Sequence, residues 1–168
     1  MRLYMNEQTA PNKPLLSVKA ESIPEELKVR PQWVVWRAVG DKPDKVPYSA
    51  RTGRKASSTN LMTWSTFEEA SEAYEKGKYA GLGFVFSSGD PFTGIDVDNC
   101  VNENGEIADW AMEIVHYLDS YAELSASGTG LHIIVKGMQV PNRRKGEIEV
   151  YSSKRFFVVT GRELELGV

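Results

Sequence analysis

Two aspartates one residue apart pose the first chemical question: in Gly94-Ile95-Asp96-Val97-Asp98-Asn99 the carboxylates alternate with Ile95 and Val97. Alternate side chains of a strand share a face, so Asp96 and Asp98 stand together while Ile95 and Val97 point into a core. At a rise of about 3.3 Å per residue their α-carbons lie roughly 6.6 Å apart, within reach of one cation. Without a counter-charge the two repel. A hard divalent cation such as magnesium or manganese relieves that repulsion. An isolated Asp-x-Asp is more often a solvated strand end, so the weight falls on what accompanies it.

A second stretch, Ser125-Ala126-Ser127-Gly128-Thr129-Gly130-Leu131-His132, runs hydroxyls and glycines directly into a strand. Glycine lets backbone N–H groups approach a phosphate closely, and hydroxyls add donors. His132 shares a face with Ile134 and is the polar residue of an otherwise apolar strand. No Gly-Lys-Ser/Thr closes the loop, so it is not a Walker loop. In the third stretch, Gly146-Glu147-Ile148-Glu149-Val150-Tyr151, Glu147 and Glu149 share one face, and either can supply a third carboxylate. Glu149 is flanked by apolar residues and is preferred, while Glu147 lies nearer the basic turn Asn142-Arg143-Arg144-Lys145. A Glu-x-Glu strand alone is usually a solvent face. Three carboxylates, a hydroxyl-glycine loop and a histidine on successive strands together match the needs of two-metal phosphoryl transfer.

The elements that must position these residues are readable from periodicity. With 168 residues, 41% of them hydrophobic, the chain can bury a proper core and most simply forms one domain. A formal net charge of -3 argues against coating nucleic acid by bulk charge, so any phosphate binding is local. The single cysteine, Cys100, excludes an internal disulfide framework and a Cys-based zinc site. No apolar run approaches a membrane span and no apolar signal segment opens the chain, which gives a cytoplasmic expectation.

Residues 1–22 are polar, contain Pro11 and Pro14, and read as a loosely ordered extension. A helical turn is expected at Ile23-Pro24-Glu25-Glu26-Leu27 and a strand at 32–37, where Trp33 and Trp36 read as core. Residues 42–55 form a turn-rich, locally basic stretch. Ser65-Thr66-Phe67-Glu68 is a capping-box pattern, opening a helix in which Phe67, Ala70 and Tyr74 recur until Gly77 stops it. A strand at 81–86 is expected to form a hairpin with the acidic strand through Ser87-Ser88-Gly89-Asp90-Pro91. A second helix spans about 107–119, with Trp110, Ala111, Ile114, Val115 and Leu118 as its apolar stripe and His116 on the surface. Strands follow at 122–125, 131–135, 147–151 and 156–160. This order argues for an α/β or α+β layer, and the short links favour antiparallel pairing.

Gly94-Ile95-Asp96-Val97-Asp98, Ser125 to His132, and Ile148-Glu149-Val150-Tyr151 resemble motifs I, II and III of the archaeo-eukaryotic primase superfamily, above all the primase-polymerase domains of phage and plasmid replication proteins. Pro31-Gln32-Trp33-Val34-Val35-Trp36, Lys45-Val46-Pro47-Tyr48, Ala56-Ser57-Ser58-Thr59, Thr63-Trp64, Gly83-Phe84-Val85-Phe86 and Arg155-Phe156-Phe157-Val158-Val159-Thr160-Gly161 resemble the family's usual surroundings, so the likeness runs from about Leu27 to Gly161.

The resemblance implies a catalytic domain at 23–168: an N-terminal α/β unit at 23–80 abutting an RRM-like mixed or antiparallel catalytic sheet at 81–161. It implies a template-directed nucleotidyltransferase, a DNA primase or DNA polymerase of phage or plasmid replication, dependent on magnesium or manganese. Asp96, Asp98 and Glu149 become the metal-binding catalytic triad, and Ser127 and His132 hold the phosphates of the incoming nucleotide. Lys45, Lys154 and Arg155 are further candidates for triphosphate or template contacts, because an acidic catalytic surface needs nearby cations to admit a polyanion.

The partners are then dNTP or NTP, a single-stranded or primed DNA template, and a replicative helicase or a C-terminal helicase region. Family members often continue into such a region. This chain ends soon after Gly161 without a Walker motif, so it is expected to extend primers better than it starts them. The rival readings are a non-catalytic module that binds nucleotide or single-stranded DNA, and a metal-dependent nuclease. A rolling-circle endonuclease lacks support, because no two histidines flank one apolar residue.

Overall fold

The computed structural model describes residues 14–41, 44–137 and 139–166. Among the described residues a 3-10 turn at Ala20–Ser22 is followed by the helical turn α1 (Glu25–Lys28), whose Leu27 is buried, and the strand β1 (Trp33–Val39). Trp33, Val34, Val35 and Trp36 are all buried, which makes β1 an inner strand covered on both faces. It pairs antiparallel with β2 (Asp44–Tyr48) and with β3 (Gly81–Phe86), and β3 pairs antiparallel with β9 (Arg155–Val159). The first sheet therefore has the order β2-β1-β3-β9. The turn-rich basic stretch also contains β2, because Val46 and Tyr48 pair with Arg37 and Val35 and extend the hairpin from β1.

The second sheet contains β4 (Phe92–Val97), β5 (Tyr121–Leu124), β6 (Leu131–Lys136), β7 (Arg143–Lys145) and β8 (Ile148–Tyr151). Its order is β5-β6-β4-β8-β7, with every neighbouring pair antiparallel. One face packs Ile95, Val97, Leu131 and Ile133 against Ala111 and Val115 of α3 (Asp109–Leu118). Trp110, expected in that helix's apolar stripe, instead turns outward and is 42% exposed. His116 is exposed, as its position off the stripe implies. The other face meets the first sheet through Phe92, Ile134, Phe84, Phe86 and Phe157. The fold is thus α+β, two antiparallel sheets with few helices.

Two local expectations are corrected. β3 and β4 do not form a hairpin but enter different sheets. Asp90 explains the turn away: its carboxylate accepts from the Ser87 and Phe92 backbone N–H groups and from the buried Gln32 amide, which fixes a wide corner rather than a two-residue hairpin turn. In consequence β3 and β9, from the 81–161 stretch, complete the sheet begun by β1 and β2. The capping box sits one residue later than expected, with Thr66 capping α2 (Phe67–Glu75) and Glu69 closing the reciprocal bond. Ser65 is unavailable as the cap because its hydroxyl donates to the Trp33 carbonyl.

Residues 14–22 lie along the body: Leu16 N–H donates to Ala126 O, Val18 N–H to the Tyr74 hydroxyl and Lys19 N–H to Thr160 O. The expected extension's residues 1–13 fall outside the described residues. Among the described residues no helix is long and apolar enough to cross a membrane.

Candidate active site

β4 is the central strand of the second sheet, and its register decides what stands beside the acidic motif. Asp96 is opposite His132 on β6 and opposite Glu149 on β8. His132 is in turn opposite Glu123 on β5, and Glu149 opposite Arg144 on β7. Directly paired residues point to the same face. The sheet therefore carries one transverse row, Glu123, His132, Asp96, Glu149 and Arg144, across all five strands, on the face turned toward the first sheet.

The row is only partly joined by contacts. Arg144 Nη1 lies 2.7 Å from Glu149 Oε1. His132 Nε2 stands 3.7 Å from Asp96 Oδ1, beyond hydrogen-bond length. Its Nδ1 lies 3.3 Å from Glu123 Oε1. The Phe157 ring meets the imidazole edge to face, 4.5 Å between centroids. Gly94 makes that approach possible, since a Cβ there would lie 2.5 Å from Phe157 and 2.7 Å from Phe86.

Above Asp96 and His132 opens a cleft of about 160 Å³ lined also by Lys45, Tyr151, Arg155, Phe156, Phe157 and Val158. Its cations come from the first sheet, Lys45 on β2 and Arg155 on β9. That volume falls below the roughly 300–1,000 Å³ that encloses small ligands. The surface continues into a cavity of about 460 Å³ that shares Arg155 and Phe156 and adds Ser57, Ser58 and Lys154. Lys154 is thus one cavity away from Asp96. Its backbone is left-handed at φ 57°, and its carbonyl accepts from the Ser58 hydroxyl.

Asp98 lies one residue past β4 and flanks the cleft rather than lining it; its N–H donates to Glu147 O. Glu147 itself accepts from the Asn99 amide, so it faces the loop after β4 while Glu149 faces Asp96. The hydroxyl-glycine loop abuts the same strand end. Thr129 O accepts from the Cys100 and Val101 N–H groups, and a Cβ at Gly130 would lie 2.6 Å from Val97 O. Ser127 is exposed on that loop, its hydroxyl 2.8 Å from that of Thr129, and it does not line the cleft.

Burial is the main reason the Asp96 carboxyl is held above the usual aspartate range; the charges of Asp98 and Glu149 add to this, and His132 and Lys45 oppose it. Burial also pushes the Cys100 thiol up to about 11, which makes it an inert core residue. Among the described residues no three His, Cys, Asp or Glu side chains are gathered closely enough to enclose a metal ion. In donor type the carboxylates suit a hard cation: Asp96 and Glu149 are opposite each other and Asp98 follows at the end of the same strand, all three offering oxygen ligands only. Glu149 is ion-paired with Arg144, whose side chain is 66% exposed.

The sequence reading missed Glu123, Arg144, Tyr151 and Phe157. For Glu123 a signal existed: the alternation Tyr121-Ala122-Glu123-Leu124 puts a carboxylate on the face opposite Ala122. Its partner was hidden in the β5–β6 register.

The second sheet thus carries a row of carboxylates and an imidazole beneath a cleft that Lys45 and Arg155 line with positive charge. The chain is 37% identical over 155 residues, covering 82% of its length, to a protein named DNA Primase-polymerase from Nitratiruptor phage NrS-1. That identity supports a primase-polymerase domain. The chain spans about a fifth of that relative, 21% of its length. No family model matches the chain.

Proposed function

We propose that the chain is the catalytic domain of a template-directed nucleotidyltransferase, a DNA primase or polymerase of phage or plasmid replication. The observation that carries this reading is the juxtaposition of Asp96, Glu149 and His132 in one transverse row beneath the Lys45 and Arg155 cations, in a chain so similar to a primase-polymerase. The strand order β5-β6-β4-β8, with α3 linking β4 to β5, supports the RRM-like reading, since it is the order of a β-α-β-β core closed by a further antiparallel strand.

Asp96, Asp98 and Glu149 are the residues that would hold magnesium or manganese, which when bound supplies charge for the triphosphate and lowers the pKa of the attacking primer hydroxyl. His132 presents Nε2 to a phosphate oxygen, donating when the ring is an imidazolium. Lys45 and Arg155 draw the triphosphate into the cleft, and Lys154 extends the cationic surface toward the template. Ser127 and the 125–130 loop offer hydroxyl donors at the end of β4. The substrates on this reading are dNTP or NTP and a single-stranded or primed DNA template. A replicative helicase partner rests on the family resemblance alone.

Extension of a labelled primer on a single-stranded template with magnesium or manganese tests the proposal. The wild type is expected to lengthen the primer, and the Asp96→Ala/Asp98→Ala variant is expected to lose at least about 10³-fold of that activity while staying folded. Undiminished extension by the double variant would remove the acidic motif from the mechanism, and shortening of the strand would replace polymerase by nuclease.

A further inference from the structure

Glu123 has no exposed surface, yet it carries a carboxylate. Burying such a group is costly unless each oxygen is hydrogen-bonded. Here Oε1 accepts from Thr160 N–H at 2.8 Å and faces His132 Nδ1 at 3.3 Å, while Oε2 accepts from the Tyr121 hydroxyl at 2.6 Å and Gly161 N–H at 2.7 Å. The two backbone N–H groups can only donate, one to each oxygen, and the Tyr121 hydroxyl donates to Oε2. Glu123 therefore accepts from its neighbours, and the imidazole nitrogen that faces it carries a hydrogen in the neutral ring and in the imidazolium alike.

The same contact fixes the ring. Nδ1 is directed at Glu123, the Phe157 ring packs against the imidazole at 89°, and Nε2 is left on the side of Asp96 and the cleft. An acceptor on one ring nitrogen sets the tautomer and orientation of the other.

We infer that Glu123 is the positioning residue of the site: its carboxylate holds His132 Nδ1–H so that Nε2 is aimed at a phosphate oxygen of the incoming nucleotide. The inference rests on the nucleotidyltransferase reading for the identity of the ligand, but not for the Glu123–His132 geometry. The competing account makes Glu123 only a staple, tying β5 to the 160–161 turn through its two backbone bonds. The two accounts differ in what happens at the imidazole.

The test uses the full chain in three forms: wild type, Glu123→Gln and Tyr121→Phe. The Gln substitution keeps the shape but turns one acceptor oxygen into an N–H donor, whereas Tyr121→Phe removes one donor to Oε2 and leaves Oε1 facing His132. Long-range ¹H–¹⁵N spectra of the imidazoles, with only His116 and His132 to assign, report which nitrogen carries hydrogen, and a dATP titration with magnesium reports which nitrogen responds. We expect Nδ1–H in the wild type and in Tyr121→Phe, with the dATP response at Nε2.

Glu123→Gln should lose that pattern and raise the nucleotide KM by about 10- to 100-fold, with kcat changed much less. Tyr121→Phe should hold KM within about twofold even if both variants lose comparable stability. A wild-type ring with bare Nδ1, a folded Glu123→Gln protein with unchanged KM, or KM changes that merely follow stability in both variants would each overturn the inference. Should Glu123→Gln fail to fold, the wild-type ring spectrum and its dATP response still decide between the accounts. A wild type that binds dATP but never extends a primer defeats the polymerase reading, while the same spectra continue to judge the Glu123–His132 contact.

Discussion

Burial holds the Asp96 carboxyl above its ordinary range, and the like charges of Asp98 and Glu149 push the same way against His132 and Lys45. A group whose folded-state pKa is raised binds its proton more tightly in the folded protein than in the unfolded chain. Its stabilising contribution is complete below the unfolded aspartate value of about 3.9 and is lost as pH rises through the folded value. At neutral pH, metal-free, ionised Asp96 is therefore a cost to the fold. Asp96→Asn should raise Tm at pH 7 by about 2–4 °C, the size that about 1 kcal/mol produces in a domain of this length, while abolishing primer extension. The gain should vanish near pH 4 and shrink when magnesium is added to the wild type, since a bound cation supplies the missing counter-charge. Calorimetric scans at several pH values check this, and a lower Tm for Asp96→Asn at pH 7 would show that Asp96 stabilises the fold instead.

At the scale of elements, the reciprocal bonds of Thr66 and Glu69 hold the start of α2, whose Ala70 is buried against the first sheet. Thr66→Ala should cost about 1 kcal/mol in urea unfolding, the usual worth of an N-cap, and should leave the nucleotide KM unchanged because α2 lines no part of the cleft. No loss of stability would mean that the cap is elsewhere. The two-residue period and the capping pattern made most strands and both longer helices legible, because local alternation is written in the residues themselves. Asp96, His132 and Glu149 could be picked out one strand at a time for the same reason. Transverse neighbours could not: that Glu123 meets His132, or that Arg144 reaches Glu149, follows from register between strands and not from spacing along one. The expected β3–β4 hairpin failed similarly, because Asp90 and Gln32, 58 residues apart, together turn the corner. A capping pattern present in two overlapping frames was decided by a distant contact, Ser65 to Trp33.

Across the whole molecule the charge is distributed against its own average. The formal net charge is -3, yet the cavity that adjoins the cleft is lined by Pro47, Ala56, Ser57, Ser58, Lys154, Arg155 and Phe156, without a carboxylate. The next cavity shares Ser58 and Lys154 and adds Thr59, Ser87, Ser88 and Ser153, again without a carboxylate. Hydroxyl donors and cations along a continuous path, in a protein otherwise acidic, suit the backbone of a single strand, whose phosphates release counterions when paired. Each phosphate contact on single-stranded DNA contributes about -0.7 to the slope of log K against log salt. Lys154→Ala should therefore flatten that slope by about 0.7 and weaken binding uniformly across sequences. Lys76→Ala, at a residue paired with Glu72 on α2, should leave the slope unchanged. Fluorescence anisotropy with a labelled oligonucleotide at several salt concentrations measures both. If the two substitutions flatten the slope equally, the strand is held by diffuse charge; if Lys154→Ala alone does so, the path from the cleft through Lys154 is the one the template follows.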